Sequence, residues 1–156
     1  MTDRKKKKIN IILTITSIVL SVLALAGVMV ALHKDNTTKT ATTTMFSIGT
    51  INETGKVVES KQNAYLKDMQ TTDGLQIELD EETATITYKV AFYDEEGAFV
   101  SMTEALETDF DAENIPENAT QFRVVITPLA VDGEAVELNI FNMAKYVNQL
   151  EVTFNK

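Results

Sequence analysis

Two kinds of hydrophobic patterning divide the 156-residue chain. An unbroken apolar run fills residues 9–32, and from Met45 onward apolar and polar positions alternate in short segments. The clearest alternation is ATITYKVAFY, in which Ala84, Ile86, Tyr88, Val90 and Phe92 interleave with Thr85, Thr87, Lys89, Ala91 and Tyr93. A period of two puts the first set on one face of a β-strand and the second on the other. Leu75, Ile77 and Leu79 repeat the pattern, as do Phe122, Val124 and Ile126, and again Leu150, Val152 and Phe154.

Turn-forming residues separate these segments. Asn52-Glu53-Thr54-Gly55, Thr72-Asp73-Gly74, Asp80-Glu81-Glu82, Asp94-Glu95-Glu96-Gly97 and Asp132-Gly133 carry the Asp, Asn and Gly chemistry that closes hairpins. Strands spaced about ten residues apart, with no long amphipathic helix between them, predict an all-β, antiparallel sandwich of about eight strands. Residues 45–156 hold it, with Met45–Ile51 as the first strand and Gln149–Phe154 as the last. Short helical turns are expected only at Thr103–Glu107 and near Asn142–Ala144.

The run Ile9–Leu32 has 24 residues and no charge. As a helix it would be about 36 Å long, enough to cross ~30 Å of hydrocarbon with some tilt. Arg4, Lys5, Lys6, Lys7 and Lys8 precede it, and a positive flank of this kind stays on the cytoplasmic side. The sequence therefore predicts a basic cytoplasmic tail (1–8), a single transmembrane signal anchor (9–32), a Thr-rich linker (33–44) and an extracytoplasmic domain (45–156). Cleavage after Ala24-Leu25-Ala26 is the competing reading of the same segment, as a signal peptide. Ser17, Ser21, Ala24, Val28 and Ala31 recur at spacings of four and three. Such a stripe of small residues suits a homo- or hetero-oligomeric helix contact in the bilayer.

Charge sharpens this division. From His33 onward nine Lys and Arg face twenty-two Asp and Glu, a net of −13. An excess of that size argues against nucleic acid as a partner. The chain has no cysteine, which excludes disulfides, thiol nucleophiles and iron–sulfur centres, and suits a bacterial envelope.

The segments TITYKVAFYDEEGAFVS and FDAENIPENATQFRVVITP carry a resemblance. A strand ending in Tyr-Asp, an acidic-Gly hairpin, a strand with Phe-Val-Ser and an Ile-Pro-x-Asn-Ala loop into Phe-Arg-Val resemble jelly-roll β-sandwiches of the carbohydrate-binding and galactose-binding-like type. Modules of that type occur on phage tail and bacterial surface proteins. The resemblance spans roughly residues 85–128 and implies a jelly-roll topology; it brings no ligand residues with it. The chain also lacks tryptophan, the usual flat platform for a sugar, leaving tyrosines for that role. If Phe122, Val124 and Ile126 point inward, Tyr93, Lys89 and Arg123 share the outer face and form a candidate glycan or peptide patch.

Catalysis finds little support. The outer domain has no histidine, and Ser47, Ser60 and Ser101 stand in no recognisable nucleophile setting. The acidic turns Asp80/Glu82, Asp94/Glu96 and Asp109/Asp111 are candidate oxygen ligands for a structural calcium, and no other cofactor is expected. The expected function is a non-enzymatic, membrane-anchored binding module for a glycan, wall polymer or envelope protein. The alternatives are an accessory subunit of a membrane complex and an exported glycan-active enzyme.

Overall fold

The computed structural model describes residues 37–156 apart from Glu81 and Thr83. The basic tail, the apolar run and its small-residue stripe lie outside the described residues. Among the described residues no helix is long and apolar enough to cross a membrane.

The described unit is built almost entirely of antiparallel strands. In chain order they are β1 (Lys39–Thr40), β2 (Phe46–Ile48), β3 (Thr50–Ile51), β4 (Val57–Val58), β5 (Ala64–Leu66), β6 (Gln70–Thr71), β7 (Gln76–Leu79), β8 (Ile86–Tyr93), β9 (Phe99–Met102), β10 (Gln121–Pro128) and β11 (Leu150–Phe154). The main sheet runs β2-β5-β10-β8-β9, with β6 also pairing β10. A smaller sheet runs β1-β11-β7, and β3 and β4 form a separate hairpin. The single α-helix among the described residues is the short α1 (Met143–Val147).

The two sheets face one another across one core. The main sheet contributes Leu66, Ile86, Tyr88, Val90, Phe92, Phe122, Val124 and Ile126; the small sheet contributes Ile77, Leu79, Leu150, Val152 and Phe154. Apart from Leu66, these are inward positions that the alternation predicts. Phe122 and Phe154 meet edge to face across the gap, with centroids 5.9 Å apart. The Asp94–Gly97 turn joins β8 to β9 as expected, with the Asp94 amide donating to the Ala98 carbonyl.

Two connections fix the poles of the sandwich. At the upper pole, where β8 ends and β10 begins, the Thr72 amide donates to the Thr120 carbonyl and the Asn155 amide to the Asp73 carbonyl. At the lower pole, where β8 begins and β10 ends, the Thr85 amide donates to Gln149 Oε1 and the Leu129 amide to the Thr85 carbonyl.

Three expectations need correction. Thr37–Thr44 is not a free stalk: Lys39 and Thr40 pair with Phe154 and Thr153, the Ala41 amide donates to the Val152 carbonyl, and Thr43 Oγ1 donates to Asn148 Oδ1 at 2.8 Å. Threonine is β-branched and sits readily on a strand at the sheet edge, so a segment without apolar periodicity is still held. Met45–Ile51 is not one strand, because Gly49, at a φ of 147°, breaks it and sends the chain across the outer face of the main sheet. Thr103–Glu107 is not helical; Leu106 exchanges backbone bonds with Tyr88 instead.

Candidate functional site

The outer face of the main sheet is where the predicted patch falls. Register pairs Tyr93 with Gln121, Ala91 with Arg123 and Lys89 with Val125, so Tyr93, Lys89 and Arg123 do share one face. Their surroundings differ sharply. The β3–β4 hairpin lies over the upper half of this face and closes a second small core of Ile51, Ala91, Tyr93 and Val125, flanked by Tyr65, Met69, Phe99 and Met102. Outward-facing positions that alternation marks as polar or exposed are therefore buried.

Tyr93 is 1% exposed and offers no open ring to a ligand. Its hydroxyl donates to the Gly55 carbonyl at 2.9 Å, and its ring meets Phe99 edge to face at 5.9 Å. Burial raises the Tyr93 pKa, while the neighbouring Arg123 charge pulls it partly back. Arg123 lies with its guanidinium carbon 5.8 Å from the Tyr93 ring centroid, a cation–π arrangement. Its Nε is buried without a hydrogen-bond partner. Tyr93 and Arg123 thus act together to seat the hairpin.

The hairpin tip is locally locked. Asn52 Oδ1 accepts from the Thr54 amide, the Thr54 hydroxyl and the Lys56 amide at 2.9 to 3.0 Å. Gly55, at φ 76°, lies so close to Phe99 that a Cβ there would come within 2.6 Å of the ring's Cγ. Only glycine fits the contact as built.

Lys89, half-buried like Arg123, faces open space. It lines a concavity of about 300 Å³ with Glu53 of the hairpin tip and with Phe99, Met102, Thr103 and Glu104. Its ammonium makes no hydrogen bond or ion pair with any described residue. The half-buried Phe99 and Met102 supply apolar surface, while Lys89, Thr103, Glu53 and Glu104 supply donors and acceptors. Phe99 is the aromatic that sequence reasoning missed. Its strand was legible, but the β-bulge between Phe92 and Tyr93 that offsets its register was not.

A second concavity, of about 430 Å³, is lined by Thr103, Leu106, Thr108, Asp109, Phe110, Asp111 and Asn114. Beneath it the Tyr88 hydroxyl donates to the Thr108 carbonyl at 2.7 Å. Burial, and then the nearby Asp109 charge, raise the Tyr88 pKa far above the usual phenol value.

The candidate calcium ligands do not converge. Asp94 Oδ1 accepts from the Ala98 amide, Asp109 Oδ1 from the Leu79 amide and Asp111 Oδ1 from the Glu113 amide, each holding a different turn. Asp80 and Glu82 follow β7, and Glu96 lies in the β8–β9 turn. No three acidic side chains among the described residues gather as a cation site would require.

Comparison with family models, with curated proteins and with solved structures gives no match, so the reading of this face rests on its own geometry.

Proposed function

We propose that the chain is a membrane-tethered, non-enzymatic binding module that takes a hydroxyl-rich ligand, a glycan or wall-polymer segment, in the concavity beside Lys89. The observation that carries this reading is a half-buried lysine without an ionic partner among the described residues, set beside the half-buried Phe99 and Met102 and flanked by two carboxylates. Sites for small polar ligands combine an apolar wall with a few placed donors and acceptors. A sugar ring matches that division, with its C–H face on Phe99 and its hydroxyls toward Lys89, Thr103, Glu53 and Glu104. An uncharged ligand also avoids repulsion by the strongly acidic domain.

The uncharged run Ile9–Leu32 and the basic residues before it support a single-pass anchor with the domain outside the cell. The carbohydrate-binding-type modules that residues 85–128 resemble bind glycans through loops or an open sheet face, which supports a sugar as the ligand.

The test is calorimetric titration of the full chain in detergent with soluble neutral oligosaccharides, cell-wall glycan fragments included. Lys89→Met and Glu104→Gln, both at sites outside the core, should each weaken binding about tenfold, equivalent to ~1.4 kcal/mol. Binding that ignores both substitutions, or no binding by any glycan, would overturn the reading.

A further inference from the structure

The lower pole carries an apolar display that the Lys89 face does not explain. Between β10 and α1 the chain makes a long excursion, residues 129–142, beginning at the Leu129–Thr85 bond and returning where the Leu138 amide donates to the Lys61 carbonyl at 2.6 Å. Four of the six large hydrophobic residues that are exposed among the described residues lie on it: Leu129, Val131, Ile140 and Phe141. Ile140 is 78% exposed and Phe141 89%.

This exposure is built in. Asn139 Oδ1 accepts from the Phe141 and Asn142 amides at 2.9 and 3.1 Å, and Asn142 Oδ1 accepts from the Asn139 amide at 2.8 Å. Asn142 Nδ2 donates to the Glu137 carbonyl at 2.9 Å. Leu138 on one side and Tyr146 and Val147 on the other are buried in the core. The turn is therefore pinned at both ends and cross-braced by two asparagine side chains, which keeps Ile140 and Phe141 from folding back. A fixed aromatic and aliphatic pair in water is the form of an interface anchor.

We infer that Ile140 and Phe141 are the docking point for a partner protein that offers an apolar pocket rimmed by lysine or arginine. Two observations choose that occupant. The excursion carries Asp132, Glu134 and Glu137 and no basic residue, so a basic rim complements it and an anionic lipid surface does not. A second copy would bring the same acidic rim against itself. The first described strand begins at the opposite pole, where Lys39 pairs with Phe154. The inference is independent of the Lys89 site.

The test places the photo-crosslinker p-benzoylphenylalanine at position 141 of the full chain in intact cells of its native host. The expected result is one discrete adduct to another protein, with the crosslinked peptide next to lysine or arginine. Ile140→Asp and the double change Glu134→Lys with Glu137→Lys should each cut its yield at least fivefold while leaving the melting temperature of the chain unchanged. An adduct at twice the chain's mass, an adduct to lipid, or no adduct overturns the inference. So does an adduct whose yield the charge reversals leave intact.

Discussion

The Tyr93 hydroxyl donates to the Gly55 carbonyl oxygen at 2.9 Å, and this one bond ties the tip of the β3–β4 hairpin to the end of β8. The residues are 38 positions apart in the chain. Tyr93→Phe keeps the ring and its packing but leaves the Gly55 carbonyl without its donor. We expect a loss of about 1 kcal/mol in denaturant unfolding, and faster hydrogen exchange confined to the hairpin and the upper half of β8.

Gly55→Ala should cost more than Tyr93→Phe. The added Cβ would overlap the Phe99 side chain, and the residue would keep a φ of 76° that a side chain disfavours. A destabilisation of about 2–3 kcal/mol is expected from overpacking and backbone strain together. Pairing it with Phe99→Leu should return part of that loss in a double-mutant cycle, because the clash then meets a smaller side chain.

Burial holds Tyr88 and Tyr93 in their protonated forms, and this sets a pH dependence at the alkaline end. Both folded pKa values are raised, for each chiefly by burial. The unfolded chain binds fewer protons than the folded one once the pH passes the ordinary phenol value of about 10. The stability these groups contribute is complete below that pH and is lost as pH rises toward their folded values. Phenolate absorbance near 295 nm should therefore gain the signals of Tyr88 and Tyr93 only as the protein unfolds above about pH 10. Tyr88→Phe should make the alkaline limb of the stability curve shallower.

Asp109→Ala should cost about 1–3 kcal/mol, because the Leu79 amide loses a charged acceptor at the end of β7. Asp109→Asn should recover about half, since the amide oxygen still accepts. Asp94, Asp109 and Asp111 each hold a different backbone amide, so millimolar calcium should leave the melting temperature of the wild type unchanged.

Much of the fold was legible because burial on one side of a strand writes a period of two. Ile86, Tyr88, Val90 and Phe92, Phe122, Val124 and Ile126, and Leu150, Val152 and Phe154 all face the core as the pattern predicts. The acidic-Gly turns at Asp94 and Asp132 were readable for the same local reason. What escaped depends on contacts far apart in sequence. Nothing local to Ala91, Tyr93 or Val125 shows that a hairpin more than 30 residues earlier folds back over them. Tyr93, Lys89 and Arg123 lie on one face as the alternation implies, but Tyr93 is buried there while Lys89 and Arg123 are half-buried. Ile140 and Phe141 follow Leu138 as though they belonged to the core; only the paired asparagines around them hold them out.

The pairing of β1 with β11 decides how the domain carries a load. The incoming chain runs down β1 from the upper pole, held by the Lys39 and Thr40 pairs and the Ala41–Val152 bond. Tension between that chain and anything gripping the lower pole would act along the strand axis. The backbone bonds would then resist in parallel, by shear, rather than yielding one after another as in unzipping. The C-terminal residues emerge beside Lys39, so cargo fused after Lys156 would hang outside that line of force.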